Sequence, residues 1–94
     1  MAVKFEWDED KAHLNLQKHQ ISFHEGATVF DDPGIATMHD PAHSADEDRY
    51  LSLGYSHQGR LLVVSYTERG ERTRLISCRK ATRRERLMYE KGSF

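Results

Sequence analysis

A chain of 94 residues with 37% apolar, 10% aromatic and 31% charged side chains supports one small domain with a modest core, and its aromatic residues exclude a disordered chain. A single cysteine, Cys78, excludes an internal disulfide and a thiolate zinc cluster; no stretch approaches the ~18 apolar residues of a membrane span, so the expected compartment is the cytoplasm. The net charge of −1 hides a polarity, because residues 1–68 hold five basic and twelve acidic residues whereas residues 69–91 hold nine basic and three acidic, a field that attracts polyanions or an acidic partner.

Val3–Glu6 is a short extended segment. Asp8 is placed to cap a first helix, with Glu9 and Asp10 in the first turn where carboxylates suit the dipole, and the helix is expected to run to about Lys18. On the helical wheel Lys11, Asn15 and Lys18 share a polar face, while Ala12 and Leu16 form a neighbouring apolar strip with His19 at its edge. Ser22 followed by Glu25 predicts a capping box for a second helix, in which Phe23, Ala27 and Phe30 repeat at i, i+4 and i+7. Asp31-Asp32-Pro33-Gly34 ends it.

The middle of the chain is strand-like. Ile35–Met38 is a short candidate strand, and Asp40–Asp48 is a polar loop. Arg49–His57 alternates, with Leu51, Leu53 and Tyr55 on one face. Gln58-Gly59 makes a turn into Arg60–Thr67, which is too continuously apolar for a sheet edge. Arg69-Gly70 is a second hairpin turn, leading into Arg72–Lys80. Thr82 and Glu85 form another capping box, so a last helix spans about Arg83–Lys91. The expected fold is α+β, with two N-terminal helices, a mostly antiparallel sheet of three or four strands and a C-terminal helix.

Several residues carry candidate chemistry. Arg83, Arg84 and Arg86 begin a helix, where positive charge opposes the macrodipole, so a phosphate-bearing ligand is a reason for their presence beside the alternative of a solvated basic face. Arg79 and Lys80 close a strand next to that helix. His19 is a candidate proton donor or acceptor, or a packed histidine at a helix end. Glu68-Arg69 sets a carboxylate beside a cation, as acid–base cleavage of RNA or a turn salt bridge would require. His39-Asp40-Pro41-Ala42-His43 pairs two histidines four apart, but a proline intervenes and spacing places no third ligand, so no metal is expected. Cys78 is expected in the core. Tyr66 is the aromatic best placed to stack on a base as well as pack in the sheet.

The ordered set Phe5-Glu6-Trp7-Asp8, Lys11, Asn15, Lys18-His19, Ile21 and Phe23 resembles the start of BrnT-type toxins. The likeness continues through Val29-Phe30 and Asp32-Pro33, Leu53-Gly54, Gly59-Arg60-Leu61-Leu62-Val63-Val64 and Tyr66-Thr67-Glu68-Arg69. It ends in Arg74, Ile76-Ser77 and the run Arg79-Lys80-Ala81-Thr82-Arg83-Arg84-Glu85-Arg86, with Cys78 where alanine is more usual. This resemblance implies a RelE-like α+β fold and a type II toxin–antitoxin ribonuclease. It also implies neutralisation by a BrnA-like ribbon-helix-helix antitoxin, with operator DNA bound only through that antitoxin.

The expected activity is therefore metal-independent endoribonuclease cleavage, with no cofactor. Lys18, His19, Glu68, Arg69, Arg79 and Lys80 are expected together near one end of the sheet. His19 or Glu68 is assigned proton transfer, and Arg69 and Arg79 stabilisation of the phosphorane. Lys18, Tyr66, Lys80, Arg83 and Arg84 are assigned to holding RNA. The alternative is a non-catalytic nucleic-acid- or protein-binding module using the same basic surface.

Overall fold

The computed structural model describes residues 4–93, so Val3 lies outside the described residues. Asp8 caps the first helix as its position predicts, its Oδ1 accepting from the backbone N–H groups of Asp10 and Lys11 at 2.8 and 3.4 Å. This helix, α1, spans Glu9–His19 and ends on Gln20, whose left-handed backbone (φ 57°) returns its N–H to the Leu16 carbonyl at 2.9 Å. The burial of α1 differs from its wheel. Asn15 is the buried residue, whereas Leu16 on the expected apolar strip is 48% exposed. Asn15 turns inward because its amide completes a strand: Nδ2 donates to the carbonyls of Cys78 and Ile21 at 2.9 and 3.0 Å, and Oδ1 accepts from Cys78 N–H at 3.0 Å.

Ser22 caps a short helix α2, Phe23–Ala27, by accepting from Glu25 N–H at 3.0 Å, and the chain tightens into a 3-10 turn over Thr28–Asp31. The expected box is only half made here. The Glu25 side chain turns into the interior to meet Ser56 and Arg60 instead of returning to the Ser22 N–H. At the other end of the chain the Thr82–Glu85 box is complete and opens α3, Arg83–Lys91, closed by Gly92.

The sheet has five strands, not three or four. They are β1 (Lys4–Glu6), β2 (Ala36–His39), β3 (Arg49–Tyr55), β4 (Leu61–Arg69) and β5 (Arg72–Lys80), in the order β1-β5-β4-β3-β2. Only the β1–β5 pair is parallel. The continuously apolar β4 is central, as its composition requires, because both of its faces are covered. Leu62, Val64, Tyr66, Leu75 and Cys78 face α1 and α2 and pack with Ile21, Phe23 and Val29. Leu53, Leu61 and Val63 face the other way, against Leu51, Tyr55, Ala81 and Tyr89.

Two local features shape that second face. Between Ser65 and Tyr66 the β4–β5 register shifts: Ser65 opposes Ser77 but Tyr66 opposes Leu75, leaving Ile76 as an extra residue on β5. The bulge lets Leu75 and Cys78 both point into the helix-covered core and turns the adjacent stretch of β5 outward. Helix α3 lies over one end of the face. Its Tyr89 hydroxyl donates to Asp32 Oδ2 at 2.7 Å, and the same oxygen accepts from Tyr55 N–H at 2.8 Å.

Candidate active site

The part of the second sheet face beside α3 forms a groove of about 290 Å³. Its walls are Arg49 and Leu51 on β3, Ser65 on β4, Ile76, Ser77 and Arg79 on β5, and Asp40 and His43 from the β2–β3 loop. The bulge supplies the floor, because it is at Ile76 and Ser77 that β5 is re-aimed.

The loop over the groove is held by its own hydrogen bonds. Asp40 N–H donates to the Arg49 carbonyl at 2.8 Å, Ser44 Oγ donates to the Asp40 carbonyl at 2.6 Å, and Arg49 N–H donates to Ser44 Oγ at 2.9 Å. Thr67 Oγ1 ties the far end of the loop to β4 through the Asp48 carbonyl at 2.6 Å. A 3-10 turn over Pro41–His43 then sets His43 Nδ1 2.9 Å from Asp40 Oδ2. Asp40 is mostly buried, at 16% exposed, while the imidazole is 66% exposed. With Nδ1–H donated to the carboxylate, neutral His43 keeps a lone pair on Nε2, the arrangement of an oriented proton acceptor. A mostly covered carboxylate, an open imidazole and two guanidinium groups thus line one groove.

Arg79 is the one sequence-assigned site residue that lines this groove. Its guanidinium makes two parallel bonds to Glu85, at 2.8 and 3.0 Å, and the shared carboxylate is held down to a pKa of about 2, chiefly by Arg79. The expected grouping at one end of the sheet does not form. Glu68 and Arg69 sit at the opposite end of β4 from Val63, the residue that pairs with Arg79, so about 17 Å of strand separates Glu68 from that level. Glu68 is exposed beside Thr73, and Arg69 pairs with Glu47 at 3.3 Å. Lys18 and His19 end α1, which packs on the helix-covered side of β5, the side opposite the groove.

Tyr66 is a core residue, 6% exposed, with its ring between Phe30 and Tyr50 and its hydroxyl accepting from Ser52 Oγ at 3.0 Å, so it offers no free face to a base. Lys80 lines a different cavity with Arg60 and Arg86, also about 290 Å³, beyond the end of β5. Arg83 and Arg84 are exposed on the first turn of α3. Cys78 is buried as expected, and burial pushes its thiol up to about 12.

A family model described as the ribonuclease toxin BrnT of type II toxin–antitoxin systems matches residues 7–85. The chain belongs to the BrnT toxin family. The match runs from Trp7 to Glu85 and so includes every wall of the groove as well as α1 and all of β2 to β5. The crystal structure of the Brucella abortus ribonuclease toxin BrnT shares the fold, with a TM-score of 0.63 at 24% identity over 87% of this chain and 100% of that one. No curated protein matches by sequence.

Membership of a ribonuclease toxin family gives the groove its chemical context. Three ionisable residues of the groove, Asp40, His43 and Arg49, are not among those the sequence assigned to an RNA site. Asp40 and His43 lie in His39-Asp40-Pro41-Ala42-His43, weighed above only as a metal motif, and Arg49 carried no signal beyond its place in a strand. In the structure each histidine has its own carboxylate, His39 with Asp48 at 3.1 Å and His43 with Asp40, and no group of three metal-ligating side chains is found among the described residues. No helix among those residues is long and apolar enough to cross a membrane.

Proposed function

We propose that this BrnT-family toxin is a metal-independent endoribonuclease whose scissile phosphate lies in the groove between Arg79 and the His43–Asp40 pair. The observation that carries the reading is the lining of that groove: one imidazole paired with a carboxylate shares it with two arginines carried by the sheet. RNA needs no metal for cleavage if its own 2′-hydroxyl attacks. His43 takes the 2′-hydroxyl proton, and the 2′-oxygen forms a bond to phosphorus. Arg49 and Arg79 stabilise the additional negative charge on the pentavalent phosphorane. The bond from phosphorus to the 5′-oxygen then breaks, and the proton returns to that oxygen as it leaves. Products carry a 2′,3′-cyclic phosphate and a 5′-hydroxyl.

Lys80, Arg83, Arg84 and Arg86 lie outside the groove at the α3 end. In this reading they hold flanking phosphates, and a BrnA-like ribbon-helix-helix antitoxin neutralises the toxin by covering this surface. The complex, not the toxin alone, contacts operator DNA. Incubation of the purified chain with end-labelled RNA in EDTA tests the chemistry. Cleavage leaving cyclic-phosphate and 5′-hydroxyl ends is expected; a metal requirement, or 5′-phosphate and 3′-hydroxyl ends, contradicts it.

A further inference from the structure

Glu85 belongs to two structures at once. Its Oε1 accepts from Thr82 N–H at 2.8 Å, closing the capping box, and from Arg79 Nη1 at 2.8 Å; its Oε2 accepts from Arg79 Nη2 at 3.0 Å. The other Nη1 hydrogen goes to the Lys80 carbonyl at 3.3 Å. A guanidinium has five N–H donors in a rigid fork. Three are thereby committed on the protein side, and the edge formed by Nε–H and the second Nη2–H has no hydrogen-bond partner among the described residues. That edge carries two parallel donors, the geometry that matches two oxygens of a phosphate. The arginine is 41% exposed and its carboxylate 17%, so the pair is anchored inward and open outward.

We infer that Glu85 is a positioning residue for RNA cleavage. It grips Arg79 by its Nη1/Nη2 edge so that the adjacent Nε/Nη2 edge meets the phosphate in the groove. The inference rests on the groove reading above and adds that the first turn of α3 sets the geometry of the site. A carboxylate that merely competed with phosphate for the arginine would have the opposite effect when removed, which makes the sign of the change decisive.

Glu85→Gln separates the two roles. Glutamine at this position still closes a capping box, but it offers one acceptor oxygen in place of two, so the parallel pair of bonds to Nη1 and Nη2 is lost. With a short RNA, kcat is expected to fall about 10- to 100-fold and KM to rise, as for a group that both binds and stabilises the phosphate and is now misplaced. The same change made in an Arg79→Ala background is expected to have no further effect. A 2′-methoxy RNA oligonucleotide, which cannot be cleaved, gives a second readout: Glu85→Gln weakens its binding in the parent but not in the Arg79→Ala background.

An undiminished or raised kcat in Glu85→Gln, an equal loss in both backgrounds, or a harmless Arg79→Ala overturns the inference. If the parent binds the oligonucleotide but cleaves no RNA, the nuclease reading fails and the binding cycle still decides the role of Glu85. If it does neither, both readings fall.

Discussion

Asn15 is the residue whose replacement most directly tests how the fold delivers the site. Its amide satisfies both backbone groups of Cys78, on the stretch of β5 beyond the reach of the three-residue β1, and also the carbonyl of Ile21. The side chain is 6% exposed, so water cannot readily take over. Asn15→Leu preserves shape and helix propensity but strands these groups. At about 1–3 kcal/mol for each buried group left unsatisfied, the two on Cys78 alone amount to about 2–6 kcal/mol. Total stability for this length is about 5–14 kcal/mol. Urea unfolding is the assay: the midpoint is expected to fall with an unchanged slope.

Asn15→Asp adds a signed test. Burial against two carbonyl oxygens favours the protonated acid, so its folded pKa lies above its unfolded value. The variant should therefore come nearest to the parent at acid pH and lose ground as pH rises through that folded pKa. An Asn15→Leu variant within about 0.5 kcal/mol of the parent would refute the account, because surface substitutions have that effect.

Further outcomes follow from the ionisable and close-packed groups. The hydrogen bond from Arg60 holds Glu25 below its ordinary range, and Arg79 holds Glu85 at about 2, so their stabilisation is complete above the ordinary carboxylate value of 4.5 and is lost as pH falls through the depressed values. Arg60→Ala should lower the melting temperature at pH 7, with the deficit shrinking in acid as Glu25 becomes neutral. Cys78, with its thiol pushed up to about 12, should resist thiol reagents at pH 8 until the chain unfolds, so labelling in urea should follow the unfolding curve. A Cβ at Gly34 would lie 2.6 Å from the Tyr89 hydroxyl; Gly34→Ala should destabilise by about 1–3 kcal/mol, and less in a Tyr89→Phe background.

Local signals carried the fold well. Caps at Asp8, Ser22 and Thr82 form as the residue types predict, and the alternation of Leu51, Leu53 and Tyr55 places them on one side of the sheet. The fifth strand was missed because β1 is three residues long and pairs with β5, nearly seventy positions away, which local pattern cannot show. The helical wheel groups Asn15 with Lys11 and Lys18 and cannot show its burial, because a buried asparagine is readable only once the backbone groups it satisfies are known.

The site was less legible. Basic residues adjacent in sequence, such as Arg79 and Lys80, point to opposite faces of a strand and so line different cavities. Glu68, Arg69 and Arg79 look close in a hairpin written as sequence but lie at opposite ends of it. His43 came from a loop whose position depends on Ser44, Arg49 and Thr67, and on no periodicity.

The measurement that bears most directly on the groove is the single-turnover rate of RNA cleavage in EDTA for the parent, His43→Ala, Arg79→Ala and His19→Ala. The groove predicts losses of about 100-fold or more for His43→Ala and Arg79→Ala, as expected for an acid–base group and a phosphorane-stabilising group. It predicts a rate close to the parent's for His19→Ala. Loss on replacing His19, with His43→Ala and Arg79→Ala unaffected, would place the chemistry on the helix-covered side and contradict the account.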